Sequence, residues 1–373
     1  MDNARLGPSC SGRNHMKFAH LICAAAIGAN TLLGASAMAQ QTYTALSLGN
    51  VTARSLNSSG QVAGTFYSDD GTSSQAFFTG VNGIGFTLVN PPPGGLNSWG
   101  NAINDSGQVV GEYADETGTS RGFITGAGGQ GVIDVSYPGA SRTGLTGINS
   151  NGQAVGWADL DAIATGPNGS GWQNLALNGN ADFKTASGIN ASGQIVGSIF
   201  TGESVGNAFI TGQSGQGVTV LGTLGGTYSY GSAVNRFGQV VGESMTESGA
   251  VHPFLTDQSG ALHDLGVLGD MSWSSASGVN DLGQVVGSSS GAAFITQANG
   301  QNMVNLNGLV VDLNDFLTAA YAINNSGQVI AQGLGGQSYL LTPTAVPEGQ
   351  TGALMLMGFG AISLAIRRKK QLA

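Results

Sequence analysis

Groups able to do chemistry are few in this chain, and most are carboxylates. Glu112 and Glu243 each follow a Gly-Gln-Val-Val-Gly phrase, and Thr65, Trp157, Ser198, Ser288 and Gln332 hold the equivalent places in other copies of that phrase. If equivalent positions ring a common axis, Glu112, Trp157 and Glu243 face a ligand at one mouth of a channel. Two carboxylates across such a mouth are what glycoside hydrolysis uses, one as acid and one as base or nucleophile. Seven divergent occupants fit solvated strand ends better, so no catalytic residue is assigned. Asp69-Asp70-Gly71 and Asp159-x-Asp161 carry hard oxygen ligands of the kind calcium takes, but neither has the full spacing of a calcium loop. They read as turn residues.

Other chemistries have still less to work with. Cys10 and Cys23 both lie near the N-terminus, and beyond it the histidines are His252 and His263, in separate predicted strands. That leaves no transition-metal ligand set and no cofactor. No Gly-x-Ser-x-Gly elbow is present to serve a nucleophilic serine. The formal net charge is −9, and between Gln40 and Thr344 the basic residues are Arg54, Arg121, Arg142, Lys184 and Arg236. A nucleic acid needs clustered positive charge for its phosphates, so that partner is excluded.

The elements that must position these groups come from a repeat. Seven copies of aliphatic-Asn-x-x-Gly-Gln followed by a short apolar run begin at Leu56-Asn57, and the clearest is Ile103-Asn104-Asp105-Ser106-Gly107-Gln108-Val109-Val110-Gly111. Successive Gly-Gln pairs stand 47, 45, 41, 45, 45 and 44 residues apart. A period in this range marks an array of like supersecondary units. Around Gly238 the unit parses as four strands: Val218–Leu221, Tyr230–Val234, Gln239–Glu243 and Pro253–Thr256. Asn closes the turn between the second and third of these, and Gly supplies the positive φ that turn requires. The Gln can satisfy neighbouring backbone groups.

Two patterns then set the architecture. Successive strand residues point to opposite faces, yet both residues after Gln are apolar (Val109 with Val110, Ile195 with Val196, Val285 with Val286), so both faces of each sheet are expected to be dry. Two further positions are small in all copies: Ser55, Ala102, Gly147, Gly188, Ala233, Gly278 and Ala322 before the Asn, and Gly64, Gly111, Gly156, Gly197, Gly242, Gly287 and Ala331 after the Gln. Small residues at fixed points let backbones approach closely. Four-stranded units of about 45 residues, dry on both faces and seven in number, predict an all-β, seven-bladed β-propeller over residues 40–344. A β-solenoid is the competing reading. Closure of the ring would bring Tyr43 near Thr342.

The two ends read as addresses. Residues 1–39 form a secretory signal peptide: Lys17, an apolar stretch from Phe18 to Leu33, then Ala37-x-Ala39 ahead of Gln40, with Met16 as an alternative start. Removing this segment would leave a cysteine-free chain with nine basic and twenty acidic groups. Residues 345–373 contain Val346-Pro347-Glu348, an apolar segment from Gly352 to Ile366, and Arg367-Arg368-Lys369-Lys370. A helix over that segment spans about 22 Å, short of a bilayer core of about 30 Å, which suits temporary retention better than a permanent anchor.

This tail resembles the PEP-CTERM sorting signal of bacterial envelope proteins, with Gly349 where that signal has its second proline. The resemblance implies an exosortase-type enzyme acting near Val346-Pro347-Glu348, after signal peptidase has cut at Ala39. The repeat, with Leu221-Gly222-Thr223-Leu224-Gly225-Gly226 ahead of it and Val251-His252-Pro253-Phe254-Leu255 behind, resembles the HAF family of extracellular bacterial repeats. That resemblance implies export and a repeated β-fold, and no particular activity. The expectation is therefore an exported, surface-sorted, non-enzymatic repeat protein associated with exopolysaccharide or a matrix protein, and held to the membrane by its C-terminal helix until processed. A carbohydrate-active enzyme using channel-facing carboxylates is the alternative, and a spacer without a specific ligand is a third.

Overall fold

The computed structural model describes residues 41–344, apart from 176–181, 202–204 and 271–272. The leader with Ala39 and Gln40, and the tail with Val346, Pro347, Glu348, Arg367 and Arg368, lie outside the described residues. Among the described residues no helix is long and apolar enough to cross a membrane.

Strand β1 (Tyr43–Gly49) precedes the first full unit without joining its sheet; that unit comprises β2 (Val51–Leu56), β3 (Val62–Tyr67), β4 (Ser74–Phe78) and β5 (Thr87–Leu88), antiparallel in chain order. Five more four-stranded meanders follow, with first strands Asn97–Ile103, Thr143–Ile148, Phe183–Ile189, Gly225–Val234 and Ser274–Val279. The seventh begins at Leu317–Ile323 and contains three strands of its own; β1 pairs with the last of them as its fourth. These are the seven blades of a β-propeller. Blades 4 and 5 are further joined by a parallel pairing of Gly206 with Tyr228. First strands of successive blades touch one another around the full circle, including Val51–Leu56 against Leu317–Ile323, so they form the inner wall.

Ring closure follows the expected route: Tyr43 pairs with Pro343 and Thr44 with Thr342. The phase of the repeat is different. Val218–Val220 does not open the blade around Gly238; it pairs with Gly206–Thr211 and is the outer strand of the preceding blade. The fourth strand of blade 5 is Leu262–Asp264. Sequence order gives the succession of strands, but hydrogen bonding decides where one blade stops, and the short stretch between Val220 and Gly225 gives no sign of the boundary it spans.

Both sheet faces are dry, as the doublet after Gln predicts. Seven hydrophobic clusters each join two adjacent blades, and the two members of each doublet go to different clusters. Val109 packs with blade 1 residues such as Ala76, and Val110 with blade 3 residues such as Leu145. Val240 faces blade 4, and Val241 faces blade 6. Third strands add Phe77, Phe123, Phe209, Phe254 and Phe294, all fully buried, and each such burial contributes about 1.5–3 kcal/mol.

The repeated Asn does more than close its turn. In every copy its Oδ1 accepts backbone N–H groups two and four residues on, and its Nδ2 donates to the Gln Oε1 four residues on. The second Nδ2 hydrogen crosses to the next blade. Asn57 donates to the carbonyl of Asn104, Asn104 to Asn149, Asn149 to Asn190, Asn190 to Asn235, Asn235 to Asn280, Asn280 to Asn324 and Asn324 back to Asn57, at 2.9–3.3 Å. All seven side chains are buried. A buried amide with every group paired stabilises only modestly, but removing it leaves partners unsatisfied.

The small positions serve the same approach. At Gly64, Gly111, Gly156, Gly197, Gly242 and Gly287 a Cβ would run into the carbonyl oxygen of Thr52, Trp99, Gly144, Thr185, Tyr230 and Ser275 on the adjoining inner strand. Opposite these residues each inner strand carries a register shift, for example between Gly100 and Ala102 and between Gly231 and Ala233. At this point of each inner strand one residue is thereby left without a strand partner.

Candidate functional site

At this common bulge the unpaired inner-strand residues are Arg54, Asn101, Thr146, Ser187, Ser232, Ser277 and Tyr321, and none is buried. Facing the axis, they make its wall polar. Two of them tie neighbouring inner strands together: Asn101 Nδ2 donates to the Leu145 carbonyl at 2.8 Å, and Thr146 Oγ1 to the Ala186 carbonyl at 2.6 Å. No carboxylate stands among the seven, although the chain has 21 acidic and 12 basic residues.

Beside this wall a cleft of about 360 Å³ opens across blades 1 to 3, lined by Arg54, Trp99, Asn101, Glu112, Arg142 and Trp157 together with the hairpin around Gly118 and Ser120. Its volume lies within the usual range for small-molecule sites, about 300–1,000 Å³. Trp99 and Glu112 are direct cross-strand partners in blade 2, and Glu112 Oε2 accepts from Ser120 Oγ at 2.6 Å. Trp157 pairs with Gly144, and a Cβ at Gly144 would come within 2.6 Å of the indole, so glycine there makes room for the ring. Arg142 holds its guanidinium carbon 6.0 Å from the Trp157 ring centroid, within reach of a cation–π attraction.

The charges in the cleft are distributed unevenly. Of the five basic side chains in the propeller, Arg121 pairs with Asp115, Lys184 with Asp161 and Arg236 with Asp281. Arg54 and Arg142, both exposed and both lining the cleft, have no carboxylate within ion-pair distance among the described residues. The nearby Asp159 is engaged by the backbone N–H groups of Ser141 and Arg142 at 2.9 Å rather than by the guanidinium.

The structure brings Glu112 and Trp157 together and leaves Glu243 apart. Glu243 sits in blade 5 opposite Tyr230, which stacks on Tyr228 at 4.8 Å and touches Phe200 at 5.1 Å. Burial pushes the Glu243 carboxyl above its usual range, and burial followed by the Glu243 charge raises both tyrosines. The seven equivalent positions do not form one axial ring: Thr65 and Ser198 are buried, and Ser198 Oγ accepts from the Gly231 N–H of the next blade. Side chains here share a face with the second residue of the apolar doublet and so point between blades; the bulge position is the one that meets the axis.

Other sequence candidates are occupied by structure. Asp70 Oδ1 accepts from Ser68 and Thr72, which holds its carboxyl down at about 2. Asp161 pairs with Lys184 and Asn174. His252 meets Asp264 at 2.8 Å across the two outer strands of blade 5, and His263 meets Asp257, in the turn that joins them, at 3.3 Å. Among the described residues no three His, Cys, Asp or Glu side chains gather as a metal site. Sequence reasoning noticed Arg54 and Arg142 only as scarce basic residues and passed over Trp99. The signal available was that Arg54 and Asn101 share one repeat position, directly before the small residue that precedes the Asn.

No protein-family profile and no curated protein matches the sequence. Solved structures do resemble it. YCF48 bound to D1 peptide is 12% identical with a TM-score of 0.54, covering 82% of this chain and 98% of that one. Virginiamycin B lyase from Staphylococcus aureus is 10% identical with a TM-score of 0.53, over 81% and 99% of the two chains. YCF48 from Cyanidioschyzon merolae is 9% identical with a TM-score of 0.51, over 80% and 99%. The likeness is one of fold. At such identities it carries no activity across to this chain, and it places the propeller in an architecture that serves binding proteins and enzymes alike.

Proposed function

We propose that this chain is an exported protein, sorted to the cell envelope by its two terminal segments, whose propeller acts without catalysis as a binding or structural component of an extracellular matrix. The partner is an exopolysaccharide. Signal peptidase and an exosortase-type enzyme process the ends, and the C-terminal apolar segment holds the chain to the membrane until that happens. Support for export comes from the order of charge, apolar run and small-residue exit in residues 1–39, and from the Pro-Glu, apolar and basic order of residues 345–373.

The observation that carries the binding role is the cleft with two indoles, Trp99 and Trp157, rimmed by the hydrogen-bonding groups of Asn101, Glu112 and Ser120. A pyranose has apolar C–H faces and a polar hydroxyl edge, and such a lining matches both. Two measurements test the reading. The mass of the product recovered from cells and from medium should show loss of residues 1–39 and, after processing, of the basic tail; an intact chain confined to the cytoplasm contradicts export. Incubation of the full chain with a bound polysaccharide should leave its length unchanged. Chain shortening that disappears in Glu112→Gln would replace the non-catalytic reading with a hydrolytic one.

A further inference from the structure

We infer that the saccharide held in this cleft is acidic, a pyranoside bearing a carboxylate, with Arg54 and Arg142 as the groups that select it. This rests on the saccharide reading above and narrows it. Three independent features converge. First, the two arginines without ion pairs in the described residues both line one cleft, in a chain whose acids outnumber its bases by 21 to 12. A guanidinium placed where no carboxylate of its own chain meets it keeps its full charge and its forked donors for a ligand. Second, none of the seven bulge residues beside Arg54 is a carboxylate, and against the two arginines the cleft lining sets a single acid, Glu112, so its balance still favours an anion.

Third, the arginines come with aromatic faces. Arg54 arises from the inner strand of blade 1 and Arg142 from the start of blade 3, while Trp99 and Trp157 stand on blades 2 and 3 of the same cleft. Arg142 already lies near the Trp157 ring. A sugar ring on an indole would present its equatorial substituents sideways, toward the guanidinium groups. Glu112 is the acid in the cleft, and Ser120 donates to its Oε2, so one carboxylate oxygen is already engaged within the chain. A bare anion such as phosphate would use the arginines and ignore the indoles. A neutral sugar would use the indoles and leave two cations unpaired.

The test uses the full chain and two matched probes, a short oligomer of galacturonic acid and its methyl ester, titrated calorimetrically at low and high salt. The acid should bind at least about tenfold more tightly than the ester at low salt, with the gap closing as salt screens it. Replacing both exposed arginines (Arg54→Gln with Arg142→Gln) should bring the ratio of acid to ester affinity to about one and remove its salt dependence, whatever the absolute affinity for the ester. Trp157→Ala should weaken both probes, with an unchanged circular dichroism spectrum as the folding control. Equal affinity for acid and ester in the parent chain overturns the acidic inference and leaves the saccharide reading standing. Binding of neither probe overturns both. Acid preference that survives the double arginine replacement places the selective groups elsewhere and overturns the assignment.

Discussion

Asn324 Nδ2 donates to the carbonyl oxygen of Asn57, 267 residues earlier in the chain, at 3.1 Å. That bond completes a circle in which each blade's turn asparagine holds the backbone of the next, and it joins the last blade to the first. The hydrophobic clusters between blades are non-directional and tolerate some slip. The amide ring is directional, and with one bond per junction it fixes how the inner strands meet.

Removing one member should therefore cost more than a surface turn residue. Asn190→Ala takes away the bonds to Ser192, Gln194 and the Asn235 carbonyl, and leaves buried groups unpaired. We expect about 2–3 kcal/mol of destabilisation, read by denaturant unfolding. A loss under about 0.5 kcal/mol would mean that water or relaxed backbone replaces the asparagine.

Glycine at the close approach is a second requirement. Gly242→Ala sets a Cβ against the Tyr230 carbonyl, whereas Gly222 has open space around its Cβ position. The first substitution should cost about 1–3 kcal/mol, and Gly222→Ala should stay within about 0.5 kcal/mol of the parent. Equal effects in thermal unfolding would show that the inner strand gives way freely.

Two groups of carboxylates impose opposite pH trends. Glu243 has a folded-state pKa raised by burial, so its contribution favours the fold below the ordinary carboxylate range and is lost as pH rises through the raised value. Glu243→Gln should raise the melting temperature at pH 7 and leave it unchanged near pH 3. Asp115 and Asp257 are held well below the usual range, first by hydrogen bonds from Thr117 and Ser259 in their own turns. Their contribution is present above the usual range and is lost as pH falls through the depressed values. Asp257→Ala should therefore destabilise at pH 7 and converge with the parent in strong acid. A parallel offset at all pH values would contradict this.

The cleft offers a prediction that does not depend on which saccharide it holds. Gly144→Ala adds a methyl where the Trp157 indole lies, so it should shift tryptophan emission and weaken saccharide binding by about threefold to tenfold while the fold persists. Unchanged emission would mean that the ring does not rest on that backbone.

Much of this architecture was legible in the residues. The even period announced the blades, the doublets such as Val109-Val110 announced two dry faces, and the pairing of Tyr43 with the end of the repeat followed from closure. Three things were not. The blade boundary escaped because Val218–Val220 looks like any other strand until its partner, Gly206–Thr211, is known. The inter-blade role of the asparagines escaped because their acceptor is a backbone carbonyl, which has no sequence signature. The cleft escaped because Arg54, Trp99 and Arg142 come from three blades, and Arg54 and Asn101 reach the axis only through a bulge. Glu112 and Trp157 share that cleft, while Glu243, at the same repeat position, belongs to a separate aromatic cluster.

Closure of the ring is the claim on which the inner wall, the amide circle and the cleft all depend, and one cross-link tests it. Thr42 and Thr344 face each other across β1 and the last strand, with hydroxyls 2.6 Å apart, and Cα atoms of hydrogen-bonded antiparallel partners lie about 5.5 Å apart, within disulfide range. In a chain with Cys10 and Cys23 replaced by serine, Thr42→Cys with Thr344→Cys should oxidise readily under native conditions to an intramolecular disulfide. The product should be a single circularised species that migrates faster than its reduced form on a denaturing gel and unfolds at higher temperature. A pair that stays reduced while the chain is folded, or that links only between molecules, would mean the repeats form an open stack.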